Sequence, residues 1–177
     1  MIVKRLDETR LKVQAGELAG LLAGTVNAGA SVGFLAPLDR AEARAWWEER
    51  APDAAAGRLA VWAAYDGDRV LGTVSLAFPG KANSRHRAEI VKLMVDPDAR
   101  GRGLGRGLLA TAEDAAAAAG VTLLHLDTET GSPAERLYRS AGWTAIGAIP
   151  DYAASPDGVL RPTTIYYKHI PADALTR

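Results

Sequence analysis

The sequence predicts an α+β fold: a single domain over residues 1–177, with a central mixed, mostly antiparallel sheet of six to seven strands flanked by about four helices. Three observations point there. The apolar runs RLAVWAAY and VLGTVSLAF flank the turn dipeptide Asp66-Gly67, the pattern of an antiparallel hairpin. Further on, a strand, a glycine-rich turn, an alanine-rich helix and a second apolar strand follow one another in the order of a βαβ crossover. A chain of 177 residues with no internal repeat and no linker suits one core rather than two.

In chain order, MIVKRL reads as an opening strand. DETRLKVQAGELAGLLAGTVNAG places Leu11, Leu18, Leu21, Leu22 and Val26 at roughly helical spacing, and its glycines weaken the helix. ASVGFLAPL reads as a loop, after which Asp39 and Glu42 make a capping-box-like start for a second helix through RAEARAWWEER, stopped near Pro52. The hairpin, the polar loop PGKANSRHR and the strand AEIVKLMV follow. The next helix, from about Gly103 to Ala119, lines up Leu108, Leu109, Ala112, Ala116 and Ala119 and ends at Gly120. VTLLHLD is almost continuously apolar, as a buried central strand requires. Ser132, Pro133 and Glu135 supply the N-cap, first-turn proline and third-position carboxylate of a short helix, PAERLYRSA, closed by Gly142. WTAIG and TTIYYKHI read as two last strands around a long loop rich in Pro, Gly and Asp.

Composition narrows the function. Basic and acidic residues balance at 21 each, so no net field draws in a polyanion and nucleic acid is not the expected partner. Without cysteine there is no disulfide frame, no thiolate metal site and no cysteine acyl-enzyme. His86, His125 and His169 lack metal-ligand spacing, and no metal is expected. MIVKRLDETR carries charges where a secretory leader needs its apolar run, and no apolar stretch reaches membrane-spanning length. A cytoplasmic location without a membrane partner is the expectation.

The segment VDPDARGRGLGRGLL, residues 95–109, is the most informative. A strand that runs through glycines into a helix presents unpaired N–H groups backed by the positive end of the helix, which makes an anion site. Arg100, Arg102 and Arg106 add charge suited to phosphate. A nucleotide P-loop needs Lys-Ser or Lys-Thr after its last glycine, and none follows here. A dinucleotide fingerprint fits only as Gly105-x-Gly107-x-x-Ala110, too far past Val95 and inside the helical pattern.

Arg100-x-x-Gly103-x-Gly105, preceded by Val95-x-Pro97 and followed by Leu108-Leu109, resembles the loop of the GNAT acetyltransferase superfamily. The downstream AERLYRSAGW resembles the family's A-x-x-L-Y-x-x-x-G-F. The stretch from about His86 to Ile170 looks closer still to members that confer resistance to tabtoxin-type β-lactam amino acids. The resemblance implies acetyl-CoA as co-substrate, its pyrophosphate held by Arg100, Gly101, Arg102, Gly103, Leu104, Gly105 and Arg106. It implies a bulged, splayed strand in which an amide of Leu93, Met94 or Val95 meets the acyl oxygen. Many relatives have asparagine where Gly131 stands, and Ser132 is the candidate to replace its contact with the pantetheine arm. Homodimers are common among relatives.

Acetyl transfer to an amine needs a neutral amine, a stabilised oxyanion and a proton for the leaving thiolate. Glu89, on the strand before the loop, is a candidate base, with a solvated strand-edge charge as the alternative. Asp127 ends the neighbouring strand and can bind or deprotonate the ammonium, or simply cap a loop. Tyr138, facing inward with Ala134 and Ala141, suits the acid for the thiolate, or else is a core tyrosine bonded to a carbonyl. The resemblance points to the same trio. Trp46 and Trp47 are adjacent on a helix, so one packs inward and the other meets solvent, substrate or partner. His125 shares a strand face with Asp127, and the tail loop around Tyr152 and Asp157 can close over the acceptor. The expected function is direct transfer of acetyl from acetyl-CoA to the primary amine of a small molecule. The alternatives are a non-catalytic acyl-CoA-binding module and a protein lysine or N-terminal acetyltransferase.

Overall fold

The hairpin is formed by β2 (Leu59–Asp66) and β3 (Arg69–Ala77), and Gly67 takes a positive φ of 58° at the turn, a conformation glycine adopts without strain. The computed structural model describes residues 2–171. Its other strands are β1 (Ile2–Leu6), β4 (Arg87–Val95), β5 (Leu123–Glu129), β6 (Thr144–Ala154) and β7 (Leu160–His169). Together they form one seven-stranded sheet in the order β1-β2-β3-β4-β5-β7-β6. Every neighbouring pair is antiparallel except β4 and β5, which are joined in parallel by the crossover helix.

Helices cover both faces. On one lie α1 (Glu8–Asn27), α2 (Arg40–Glu48) and the single-turn α3 (Ala51–Ala55), which bury Leu11, Leu18, Leu22, Val26 and Trp47 against Val61, Ala63 and Met94 of the sheet. On the other lie α4 (Leu104–Ala118) and α5 (Pro133–Ser140), where Leu108, Leu109 and Ala112 meet Trp62, Leu76, Ile90 and Leu124. Burial of such side chains, at about 25 cal/mol per Å² of apolar surface, is the main force holding the layers together. Gly72 lets α4 approach: a Cβ there would lie 2.9 Å from both Leu108 Cδ1 and the Met94 carbonyl oxygen. Among the described residues no helix is long and apolar enough to cross a membrane.

Three local expectations need correction. Pro52 does not end the second helix region; it lies in the first turn of α3, where its missing N–H costs nothing. Ala119 is exposed and caps the end of α4 instead of joining its apolar side. The long loop expected between the last strands is mostly strand. β6 runs on to Ala154 because its register shift between Ile149 and Ala153, with Asp151 at φ 50°, absorbs Pro150 at a point where no ladder hydrogen bond is needed.

Candidate active site

β4 and β5 pair through only Arg87–Leu123, Ala88–Leu124 and Glu89–His125, and then part. β4 also carries a bulge. Thr73 faces Met94 while Ser75 faces Val91, so β4 has one residue more than β3 over this stretch. Lys92 takes φ 54° in the bulge, a region that a side chain with a Cβ seldom enters. Its ammonium secures the turn by donating to the Val32 carbonyl at 2.7 Å, with the Phe34 and Trp46 ring centroids 5.4 and 5.1 Å away. Burial lowers the Lys92 pKa, the Asp127 charge works against that, and Arg50 and Glu89 contribute smaller effects of opposite sign.

The gap between the strands exposes backbone. Asp96 donates its N–H to Leu71 on β3 at 2.8 Å. Strand alternation therefore turns Met94's amide to β3 and Val95's toward the open side. Past the strand, Asp96 accepts from Asp98 N–H and from Arg69, at 2.9 and 2.6 Å, and starts a 3₁₀ turn over Pro97–Ala99. The N–H groups of Gly101 through Arg106 then find no acceptor among the described residues. Gly101 and Gly103, at φ 74° and 77°, turn the chain so that these donors precede and enter the first turn of α4. Positive φ is what demands glycine at these two positions, since a Cβ at either would meet open space. At Gly105 φ is not positive, and a Cβ there would come within 3.2 Å only of the flexible end of Leu137 on α5. Arg100 and Arg102 are exposed beside the cradle. Arg106 instead ties α4 to α5, donating to Ser140 Oγ at 2.7 Å.

The three candidate catalytic side chains divide between the two faces of the sheet at β4 and β5. Leu124 and Leu126 are buried under α4 and α5, so His125 and Asp127 occupy the opposite face of β5. Ala88 and Ile90 likewise leave Glu89 on the face shared with His125 and Asp127. Arg87 lies 3.0 Å from His125 Nε2, and since guanidinium only donates, that nitrogen is the acceptor. Tyr138, on α5, is 6% exposed and packs against Trp143 and Tyr166 at 5.9 and 6.3 Å between centroids. Its hydroxyl makes no hydrogen bond among the described residues. Burial and, secondarily, the Asp127 charge raise its pKa above the ordinary phenol value, so it holds its proton at neutral pH.

Glu135 sets α5 in place. Its buried carboxylate accepts from Gly131 N–H at 2.7 Å, Tyr166 Oη at 2.9 Å and Arg139 at 3.0 Å. These bonds, the backbone one foremost, hold its pKa below the usual glutamate value despite burial. Ser132 caps α5, its hydroxyl accepting the Glu135 N–H at 3.2 Å and lying 3.3 Å from Thr128 Oγ1. Asp157 folds its own turn, accepting from Ser155 Oγ at 2.6 Å and Val159 N–H at 3.1 Å, while Tyr152 is exposed on β6. That turn touches the loop after α1, where Ala36 donates to the Pro156 carbonyl at 2.8 Å. Of the paired tryptophans, Trp47 is fully buried and Trp46 lines a cavity beside Lys92.

A parallel pair that opens into a V, a bulged strand and a glycine cradle of unpartnered amides make up the candidate site. A model of the acetyltransferase (GNAT) family matches residues 17–143, and the chain belongs to that family. It is accordingly an acetyl-CoA-dependent N-acetyltransferase. Solved structures share the fold at low identity. The yncA protein of Salmonella typhimurium, a candidate acetyltransferase solved with acetyl-CoA, is 22% identical, with a TM-score of 0.77 over 97% of this chain and 94% of its own. A ribosomal-protein-alanine N-acetyltransferase from Brucella melitensis is 24% identical, with a TM-score of 0.74 over 96% and 99%. An aminoglycoside 6'-acetyltransferase type Ii is 21% identical, with a TM-score of 0.70 over 97% and 98%.

Proposed function

We propose that the chain acetylates the primary amine of a small, amino-acid-like molecule by direct transfer, with Gly101–Arg106 holding the diphosphate of acetyl-CoA. The unpartnered run of amides at the start of α4 carries this reading: donors left without protein acceptors beside Arg100 and Arg102 fit a diphosphate. In this reading the pantetheine arm lies in the V between β4 and β5, and Ser132 makes the contact that relatives give to asparagine. The sequence resemblance of residues 86–170 to members that act on tabtoxin-type β-lactam amino acids is our reason for choosing an amino-acid-like acceptor, with a β-lactam toxin as one candidate.

Bound acetyl-CoA supplies an activated acetyl thioester; the new bond joins the amine nitrogen to the acetyl carbon, and the carbon–sulfur bond breaks. Glu89 takes the proton that the substrate ammonium must lose, directly or through water, and Asp127 orients the amine from the same face. The Val95 amide, turned toward the open side, is our choice among Leu93, Met94 and Val95 to stabilise charge on the acyl oxygen. Tyr138, whose unpaired hydroxyl stays protonated at neutral pH, gives its proton to the departing sulfur, and the second proton that the nitrogen loses as the amide forms restores the phenol.

A panel of amines, amino acids and peptides offered with acetyl-CoA, followed by released thiol, tests the proposal. Turnover of small amino-acid-like amines over peptides is the expected result. Turnover confined to peptides would overturn the small-molecule reading, and tight coenzyme binding with no acceptor used would overturn the catalytic one.

A further inference from the structure

Beside Lys92 lies a cavity of about 410 Å³ that the roles above do not use. Its floor is Ser75, Ala77 and Val91 of the sheet, and Trp46 and Arg50 close it from the helix side. Two polar atoms at this cavity are buried and lack a hydrogen bond among the described residues: Ser75 Oγ and Arg50 Nε. Ser75 is 1% exposed, so its hydroxyl has no alternative partner in bulk water. A buried polar group without a partner costs roughly 1–3 kcal/mol, which a ligand can recover.

The charges around the cavity are unbalanced. Arg58 is neutralised by Asp53, to which it donates at 2.9 and 2.7 Å. Arg50 reaches only the exposed Glu49 with its outer nitrogen, at 3.2 Å, and stacks on Trp46 with 4.9 Å between guanidinium carbon and ring centroid. Lys92 uses one proton on the Val32 carbonyl and has no carboxylate in hydrogen-bonding contact among the described residues, the Asp127 and Glu89 charges acting on it from further away. Positive charge therefore collects at one end of a pocket whose walls, Trp46, Leu59, Phe78 and Val91, are apolar. Glu89 is not among the lining residues, but Ala77 on the floor is its ladder partner, so the candidate base stands beside the cavity on the same face of the sheet.

We infer that this cavity holds a carboxylate of the acceptor, gripped by Arg50, Ser75 and Lys92, so that the preferred substrate is an amino acid with an aliphatic body whose amine is presented to Glu89. The inference rests on the small-amine reading above and goes further by naming the acidic group and the residues that select it. Arg50 Nε–H and the Ser75 hydroxyl donate to the carboxylate oxygens, Lys92 adds charge, and Trp46 and Phe78 enclose the chain. A neutral amide or plain alkylamine leaves these donors unpaired, and a site with unpaired donors discriminates strongly.

The test compares norleucine, norleucinamide and pentylamine as acceptors, and hexanoate as a ligand that has the carboxylate without an amine. Wild-type enzyme should favour norleucine over norleucinamide by at least tenfold in kcat/KM, and hexanoate should protect it against thermal unfolding. Arg50→Gln should abolish both effects, and Ser75→Ala should weaken both, while acetyl-CoA affinity remains within twofold, which shows that the variants are folded. Equal use of norleucine and its amide, or a hexanoate effect that survives Arg50→Gln, would overturn the inference. If no amine is acetylated, the small-amine reading fails, and the hexanoate measurement alone decides whether the cavity binds carboxylates.

Discussion

Glu89 and His125 face each other across the last rung of the parallel β4–β5 pairing, and past them the strands separate. The carboxylate proposed as base thus stands where the sheet stops closing on itself. Three residues further along β4 comes the bulge at Lys92, and past the end of that strand comes the cradle at Gly101–Arg106. A local failure of strand pairing, held open by packing on both faces, is what converts this sheet into a site.

Tyr138→Phe should lower kcat by about 10²–10⁴-fold, the usual worth of a positioned general acid, and leave acetyl-CoA affinity within twofold. The ring keeps its contacts with Trp143 and Tyr166, so the melting temperature should barely move. Because burial and Asp127 push the phenol upward, no fall of kcat from Tyr138 ionisation is expected below about pH 10. Steady-state rates between pH 6 and pH 10, paired with calorimetry, check both statements; a rate for Tyr138→Phe equal to wild type removes the tyrosine from the chemistry.

Glu89→Gln should reduce kcat/KM by about 10²-fold or more at neutral pH, and a higher pH should restore part of it, because free amine then forms without a base. Asp127→Asn should act differently. Its charge favours the protonated forms of both Lys92 and Tyr138, so neutralising it should move both titrations to lower pH. Lysine side-chain NMR on the two variants separates the roles; an unchanged Lys92 titration in Asp127→Asn contradicts the arrangement.

Glu135 should make the protein acid-sensitive. Its folded pKa is depressed, so its contribution is complete above the unfolded value near 4.3 and is lost as pH falls through the folded value. Glu135→Gln should therefore cost about 1.5–3 kcal/mol at pH 7 and flatten the decline in stability below about pH 4. Urea melts from pH 7 to pH 3 read this directly, and parallel curves for the two proteins would contradict it.

Two glycines should respond differently to alanine. Gly72→Ala drives a Cβ to 2.9 Å from the Met94 carbonyl, which is backbone and cannot yield cheaply, so a loss of about 1–3 kcal/mol is expected. Gly105→Ala meets a flexible Leu137 methyl at 3.2 Å and gains helix propensity worth up to about 1 kcal/mol, leaving stability close to wild type. Thermal melts of both variants test the contrast, and equal losses would refute it.

Much of this was legible in the chain because local chemistry dictated it. Ser132, Pro133 and Glu135 announce α5 through capping, and Ser132 does accept the Glu135 N–H. The glycines announce the cradle, since Gly101 and Gly103 need positive φ. The bulge left no mark, because Lys92 is not a residue type that signals left-handed backbone and only distant Val32, Phe34 and Trp46 hold it there. The cavity beside Lys92 was equally hidden: Arg50 and Ser75 lie far apart in sequence and line one cavity only in the folded chain. β6 escaped because Pro150 and Asp151 resemble loop residues, and an edge strand with a register shift tolerates both.

The most direct measurement is the affinity of the protein for acetyl-CoA against S-acetylpantetheine, which carries the same thioester arm and lacks the diphosphate and the 3′-phosphoadenosine, with adenosine 3′-monophosphate as the control for the nucleoside part. If the Gly101–Arg106 amides grip the diphosphate, calorimetry should find acetyl-CoA bound at least 100-fold more tightly. Equal affinities for the two would contradict the account.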